Sequence, residues 1–139
     1  MGKRALITGG TKGIGYAVAE SLAQSGYDLL LTYASDVGRA MQVQTALQGK
    51  YSVKVQILQA DASDMAQIGV ISACLETEDI MLDAVIMNAG STCRDPFEKL
   101  QFEDWQHVFM VNVHFPVFLL QRIINRIRPK GCVVFTGSL

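Results

Sequence analysis

The sequence predicts an α/β fold: a doubly wound parallel sheet of five strands with flanking helices. Three observations lead there. An apolar strand, Ala5-Leu6-Ile7, runs directly into a turn spaced by Gly9, Gly13 and Gly15 and then into a helix. Strand-like and helix-like segments alternate along the chain with no internal linker or low-complexity stretch. Small and polar residues cluster after the strands, at Tyr33 to Asp36, Asp61, Asn88 to Gly90 and Thr136 to Ser138. Such alternation builds right-handed crossover units with helices on both faces, and ligands sit beyond the carboxyl ends of the strands where the strand order reverses.

The elements follow in order. Residues 3–8 form the first strand and 13–25 the first helix, stopped by Gly26, with Ile14, Val18, Leu22 and Ala23 on one face. Leu29, Leu30 and Leu31 make a second strand over 28–33, and a helix over 36–47 is closed by Gly49. The third strand, 53–59, puts Val53, Val55 and Ile57 on one face; Ser63 or Asp64 can cap a third helix ending near 77. The fourth strand covers 82–87. A long helix runs from Phe102 to Arg128, with Glu103 or Asp104 supplying negative charge at its start. The fifth strand, 133–135, is entered through Pro129 and Gly131.

Composition narrows the function classes. The 139 residues make one domain, 1–139, long enough for a real core, and half of them are hydrophobic. Twelve basic and thirteen acidic side chains leave a net charge of −1 with no basic stripe, which argues against nucleic acid. By the sequence reading no apolar run approaches spanning length, and the N-terminus enters a strand within three residues, so a cytoplasmic protein without membrane contact or signal peptide is expected. Cys74, Cys93 and Cys132 are odd in number and lack metal-ligand spacing; they read as small apolar fillers. His107 and His114 have no ligand set around them and read as packing or solvent residues, and the six methionines read as core.

The chemistry begins at the glycine turn. Glycines allow a tight turn and close approach to a diphosphate, whose charge the free amides and dipole of the following helix hold. Thr11, Lys12 and Ile14 belong to the same loop. Thr8 to Gly15 (TGGTKGIG), Asp61 in QADASD, the triplet Asn88-Ala89-Gly90, Asn112 in MVNV and GCVVFTGS ending at Ser138 together resemble the short-chain dehydrogenases/reductases, in the manner of ketoacyl carrier-protein reductases. The resemblance covers nearly the whole chain. It implies a Rossmann-type sheet and hydride transfer between a nicotinamide cofactor and a small carbonyl or alcohol substrate.

Each matching position has its own chemistry. Asp61, with Ala62 after it, can accept from an adenine amino group or take part in a helix-capping turn with Asp64. Asn88, Ala89 and Gly90 let a cofactor close, and Asn88 can equally pin neighbouring strands. A carboxylate ending the second strand would bind the ribose hydroxyls of NAD and repel a 2′-phosphate. Tyr33 stands there instead, with Ser35 able to donate and Lys12 nearby, so the resemblance implies NADP(H) in preference to NAD(H). Lys12 could also be a solvated loop lysine, Arg39 could point away, and one residue of register would bring Asp36 closer.

Pro116, four residues after Asn112, has no N–H, so the Asn112 carbonyl loses its helical partner and a kink is expected. In the family, a water at this Asn joins a proton relay. Ser138 matches the serine that hydrogen-bonds the substrate carbonyl, with Thr136 as a rival hydroxyl. The loop 91–99 would border the substrate, where Arg94 could meet an anionic group. The family's general acid is a tyrosine with a lysine four residues later; Tyr16, Tyr27, Tyr33 and Tyr51 are not so followed. The 139 residues are therefore expected to be an inactive, C-terminally incomplete part of a longer reductase, with Cys132 to Phe135 as an exposed edge; the alternatives are a non-catalytic nucleotide-binding or sensor protein, or a truncated pseudo-subunit acting by assembly. The long helix is apolar nearly all round, so a neighbouring helix or subunit is expected to cover its outer side, and the resemblance implies a homodimer or homotetramer through Phe102 to Arg128.

Overall fold

The computed structural model describes residues 2–138. Five strands form one parallel sheet, β1 (Arg4–Ile7), β2 (Asp28–Tyr33), β3 (Val55–Gln59), β4 (Leu82–Met87) and β5 (Ile127–Phe135), in the spatial order β3-β2-β1-β4-β5. Order reverses between β1 and β4, which opens a crevice at their carboxyl ends. Period-two alternation divides the core between the two faces. Leu6, Leu30 and Val85 point one way and pack with Ile71, Leu75 and Phe115; Ala5, Ile7 and Leu31 point the other way and pack with Ala19, Val43 and Leu47.

Helix α1 (Gly13–Gln24) ends as expected at Gly26, whose φ of 87° lets the Gly26 amide reach the Ala23 carbonyl and the Tyr27 amide the Leu22 carbonyl, both at 3.0 Å. Its buried stripe differs from the expected one. Gly15, Ala19 and Ala23 face the sheet while Ile14 is 65% exposed, because small residues let the helix lie close on the strands. Helix α2 (Val37–Lys50) is capped by Asp36 Oδ1, which accepts from the Arg39 amide at 3.0 Å. It runs through Gly49 rather than stopping before it. Its last turn is tied to α1, where Glu20 accepts from Lys50 Nζ at 2.9 Å and from the Tyr51 hydroxyl at 3.2 Å. The Lys50 hydrogen bond holds the Glu20 carboxyl below its ordinary pKa and raises that of the lysine.

Strand β3 starts two residues later than predicted because the Lys54 amide turns to Asp28 Oδ1 at 2.8 Å. Helix α3 (Gln67–Thr77) also starts late, and neither Ser63 nor Asp64 is its cap. Asp61 Oδ1 captures the Ser63 amide and Asp64 Oδ1 the Ala66 amide, at 2.9 and 3.0 Å, so two successive side-chain turns precede the helix.

The long helical run is not uniform. Helix α4 (Phe102–Phe109) passes into a π-helical turn, Met110–His114, then α5 (Phe115–Ile123) and a 3₁₀ turn, Ile124–Arg126. The break falls where Pro116 was expected to produce one, and the Phe115 amide reaches back to the Met110 carbonyl. The helix ends before Arg128, because Ile127 and Arg128 already belong to β5. That strand includes Pro129 and carries an irregularity: pairing jumps from Ile127 to Cys132 while β4 advances only from Leu82 to Ala84.

Val111, Phe115, Leu119 and Ile123 bury one side of the run, whereas Trp105, Val117 and Phe118 are 50%, 50% and 43% exposed. Against expectation, the helical run Phe102–Arg126, of 25 residues, is long and apolar enough to cross a membrane by length and composition alone, an 18-residue window within it having a mean hydropathy of 1.3. The buried stripe accounts for only part of that apolarity, since 28% of the window is buried. Other fillers also divide. Met87 is buried but Met41 is 57% exposed; Cys74 and Cys93 are half-buried while Cys132 is exposed, so it fills nothing. Burial, and secondly Glu78, push the Cys74 thiol pKa up.

Candidate functional site

A cleft of about 800 Å³ opens at the carboxyl ends of the strands, over the point where strand order reverses. Its floor is the start of α1. Lys12 occupies the N-cap position with extended backbone and no side chain caps the helix, so the first-turn amides are not held by a side chain. Gly15 sits beneath them. A Cβ there would run into the Gly9 carbonyl and come within 2.5 Å of Asn88 Nδ2, so only glycine lets α1 begin this close to β1 and β4.

Two buried threonines hold the turn in shape. Thr32 Oγ1 accepts from the Gly9 amide at 3.2 Å, and the Thr32 carbonyl accepts from the Gly10 amide at 3.1 Å. Thr8 Oγ1 accepts from the amides of Asn88 and Ala89 at 2.9 and 3.0 Å. Sequence reading passed over both, although a threonine next to the glycine turn and another near the end of β2 are the available signal. Asn88 resolves toward pinning: its Nδ2 reaches the carbonyls of Thr8 and Gly9 at 3.3 Å each, and its Oδ1 accepts from Thr136 Oγ1 at 3.3 Å. Strands β1, β4 and the end of β5 are thereby tied at the rim.

Every cofactor-side residue expected from the sequence except Gly15 lines the cleft. The loop supplies Gly9, Thr11, Lys12, Gly13 and Ile14; β2 supplies Tyr33 and Ser35; Asp61 and Ala62 follow β3; and Asn88, Ala89 and Gly90 follow β4. Asp61 Oδ1 accepts from the Ser63 amide and hydroxyl, at 2.9 and 2.8 Å, which is a turn of the capping kind before α3, and the residue also lines the cleft.

Arg39 does not point away. Its Nε donates to the Thr11 carbonyl at 2.9 Å, and Arg39 lines the cleft, as Lys12 and Ser35 do. Asp36, the carboxylate in doubt, also borders the cleft, with Oδ1 engaged in capping α2. His107, read as a packing or solvent residue, lines the cleft as well, together with Val111 one turn later on the same helix face.

The two residues expected to act on substrate are placed differently. The Asn112 side chain clamps the backbone of Ser91: Oδ1 accepts from the Ser91 amide at 2.8 Å and Nδ2 donates to its carbonyl at 2.7 Å. Ser91 borders the cleft and Asn112 stands behind it. Ser138 is exposed and Thr136, two residues earlier, is the hydroxyl at the cleft wall. Folding also gathers Cys93, Asp95 and Asp104, whose ligand atoms lie within 4.8 Å of one another, a proximity that linear spacing does not reveal. A second cavity, about 450 Å³, lies at the opposite ends of the strands; its rim amides are bonded within the fold, as where Val55 donates to Gln48 Oε1 at 3.0 Å.

An uncapped helix start below a glycine turn, at the switch point of a parallel sheet, defines a nucleotide-binding α/β protein of the Rossmann type. The chain belongs to the short-chain dehydrogenase family, whose profile matches residues 3–139. It is 36% identical over 143 residues to an L-rhamnose 1-dehydrogenase (NADP(+)) of Thermoplasma acidophilum, covering 99% of this chain and 55% of that one. It is 31% identical over 137 residues to the short-chain dehydrogenase/reductase FrzI of a Cladobotryum species, covering 99% and 53%. Among solved structures, a short chain dehydrogenase of Burkholderia cenocepacia in complex with NADP superposes with a TM-score of 0.90 at 31% identity, over 98% of this chain and 55% of that one. L-Sorbose reductase of Gluconobacter frateurii with NADPH and L-sorbose gives 0.92 at 26%, over 99% and 53%. The chain thus spans about half the length of the relatives it matches.

Proposed function

We propose that this chain is the dinucleotide-binding part of an NADP-dependent oxidoreductase that interconverts a carbonyl and an alcohol. The observation that carries the proposal is the charge arrangement at the end of β2. Tyr33 takes the place of a carboxylate, and two cations, Lys12 and Arg39, line the same cleft as Ser35, with Arg39 held by the Thr11 carbonyl next to Lys12 in the chain. A 2′-phosphate would meet both cations there, whereas a free 2′-hydroxyl would find no carboxylate at Tyr33 to accept its hydrogen bond. NADP-bound relatives support the same assignment.

Under this reading the amides of Gly13 and Ile14 hold the diphosphate, Gly15 permits its approach, and the free Asp61 oxygen accepts from the adenine amino group. Ala89 and Gly90 give the cofactor a close wall, and Asn88 keeps that wall in place. The bound nicotinamide supplies the hydride. On the substrate side, the Asn112 clamp fixes Ser91, the Asn112 carbonyl holds a relay water, and Ser138 or Thr136 donates to the substrate oxygen. No tyrosine in these residues is followed four later by lysine, so binding is proposed for this chain and turnover for a protein to which a general acid is supplied. The exposed outer side of α4 and α5 is proposed to pair with a second copy.

Fluorescence titration tests the cofactor assignment. Lys12→Glu and Arg39→Gln should each weaken NADPH by about ten- to a hundredfold, the range of a lost charge-assisted hydrogen bond, while NADH changes little. The difference should shrink as salt rises. Equal losses for the two dinucleotides would remove the 2′-phosphate assignment.

A further inference from the structure

We propose that the imidazole of His107 packs against the adenine base of the bound dinucleotide, an inference that rests on the cofactor reading above. The cleft has two aromatic rings on its walls, Tyr33 and His107. Tyr33 comes from β2, before the reversal of strand order; His107 comes from α4, after it. Around His107 the cleft offers the small or aliphatic residues Ala89, Gly90 and Val111, and Ala62, which follows β3, shares one core cluster with Val111. Small residues leave room for a flat heterocycle without covering it. His107 precedes Val111 by four residues, and in a helix that spacing stacks the two side chains on one face.

Val111 is 6% exposed and belongs to the core, whereas His107 is exposed at the cleft lip. The imidazole therefore covers a ring that rests on Val111 and Ala62. His114, the other histidine, lies instead near Phe109 with ring centroids 6.5 Å apart and is absent from the cleft lining. With Asp61 preceding Ala62 in the chain and lining the same cleft, the adenine is offered two kinds of contact, an acceptor for its amino group and a π-face for its ring.

Calorimetric titration of the wild-type chain with NADPH, 2′-AMP and reduced nicotinamide mononucleotide separates this contact from the reading beneath it. His107→Ala should weaken NADPH and 2′-AMP alike by about tenfold, within the range of one base–aromatic stack. Mononucleotide binding should not change, and His107→Phe should retain affinity within about threefold of wild type because the flat face is kept. Unchanged 2′-AMP affinity in His107→Ala would overturn the contact while leaving the cofactor reading intact, as would a parallel loss for the mononucleotide or an equal loss in His107→Phe. Failure of the wild-type chain to bind NADPH or 2′-AMP would instead remove the cofactor reading, and this contact with it.

Discussion

The two flanks of the cleft are built on the same alternation of strand and helix but close differently. On the β1–β2 flank, polar groups near the glycine turn answer one another: Thr32 takes the Gly9 amide, Arg39 the Thr11 carbonyl and Asp36 the Arg39 amide. On the β4–β5 flank the inner surface is equally well packed, but the outer surface is not. Trp105 and Phe109 stack at 4.9 Å between ring centroids on the solvent side of α4, and Val134 and Phe135 are half exposed on the edge strand β5. The first flank satisfies these polar groups within the chain and leaves the first-turn amides of α1 uncapped. The second presents an apolar surface of the kind that a neighbouring element or subunit covers. The contrast is thus between a polar flank on the cofactor side and an apolar outer surface on the other.

The largest expected effect tests whether the second flank is truly core on its inner side. Phe115 is 2% exposed at the start of α5, and Phe115→Ala should lower stability by about 3–5 kcal/mol in denaturant titration. A loss below about 1 kcal/mol would mean that α5 is loosely seated and would break the comparison. Next comes the tie between the flanks. Thr8→Val keeps the shape but leaves the amides of Asn88 and Ala89 without their acceptor, at about 1–3 kcal/mol for each buried unsatisfied group. Its midpoint should fall and NADPH binding should weaken with it; unaltered stability would show that these amides find other partners. The smallest effect on stability belongs to the outer face. Phe118→Ser should shift unfolding by no more than about 0.5 kcal/mol while reducing self-association measured by sedimentation. A destabilisation of core size would place Phe118 with the buried residues and erase the contrast.

The class of fold and most of the cleft were legible in the linear chain because they depend on local patterns. Ala5-Leu6-Ile7 before Gly9 states a buried strand entering a turn, and Leu29-Leu30-Leu31 and Leu82 to Met87 state strands covered on both faces. Since parallel strands all end on one side, the residues following them had to meet at one rim. Boundaries were less legible where side chains competed with the backbone for hydrogen bonds. Asp61 and Asp64 delay α3, and Asp28 delays β3, by capturing amides that the regular element would otherwise use.

What the sequence determined by itself was therefore the order of elements, the glycine turn and the residues carried to the rim. Tertiary structure alone decided which of those residues face the cleft and which stand behind it. Arg39 and His107 sit on helices whose rotation about their axes depends on packing against the sheet, and Asn112 is turned from the cleft to Ser91 by a backbone bond partner 21 positions away. Ile14 faces outward for a like reason: close contact of α1 with the sheet reserves the inner positions for Gly15, Ala19 and Ala23. Periodicity tells which side chains share a face, but only the shape of the surface opposite decides which face is buried.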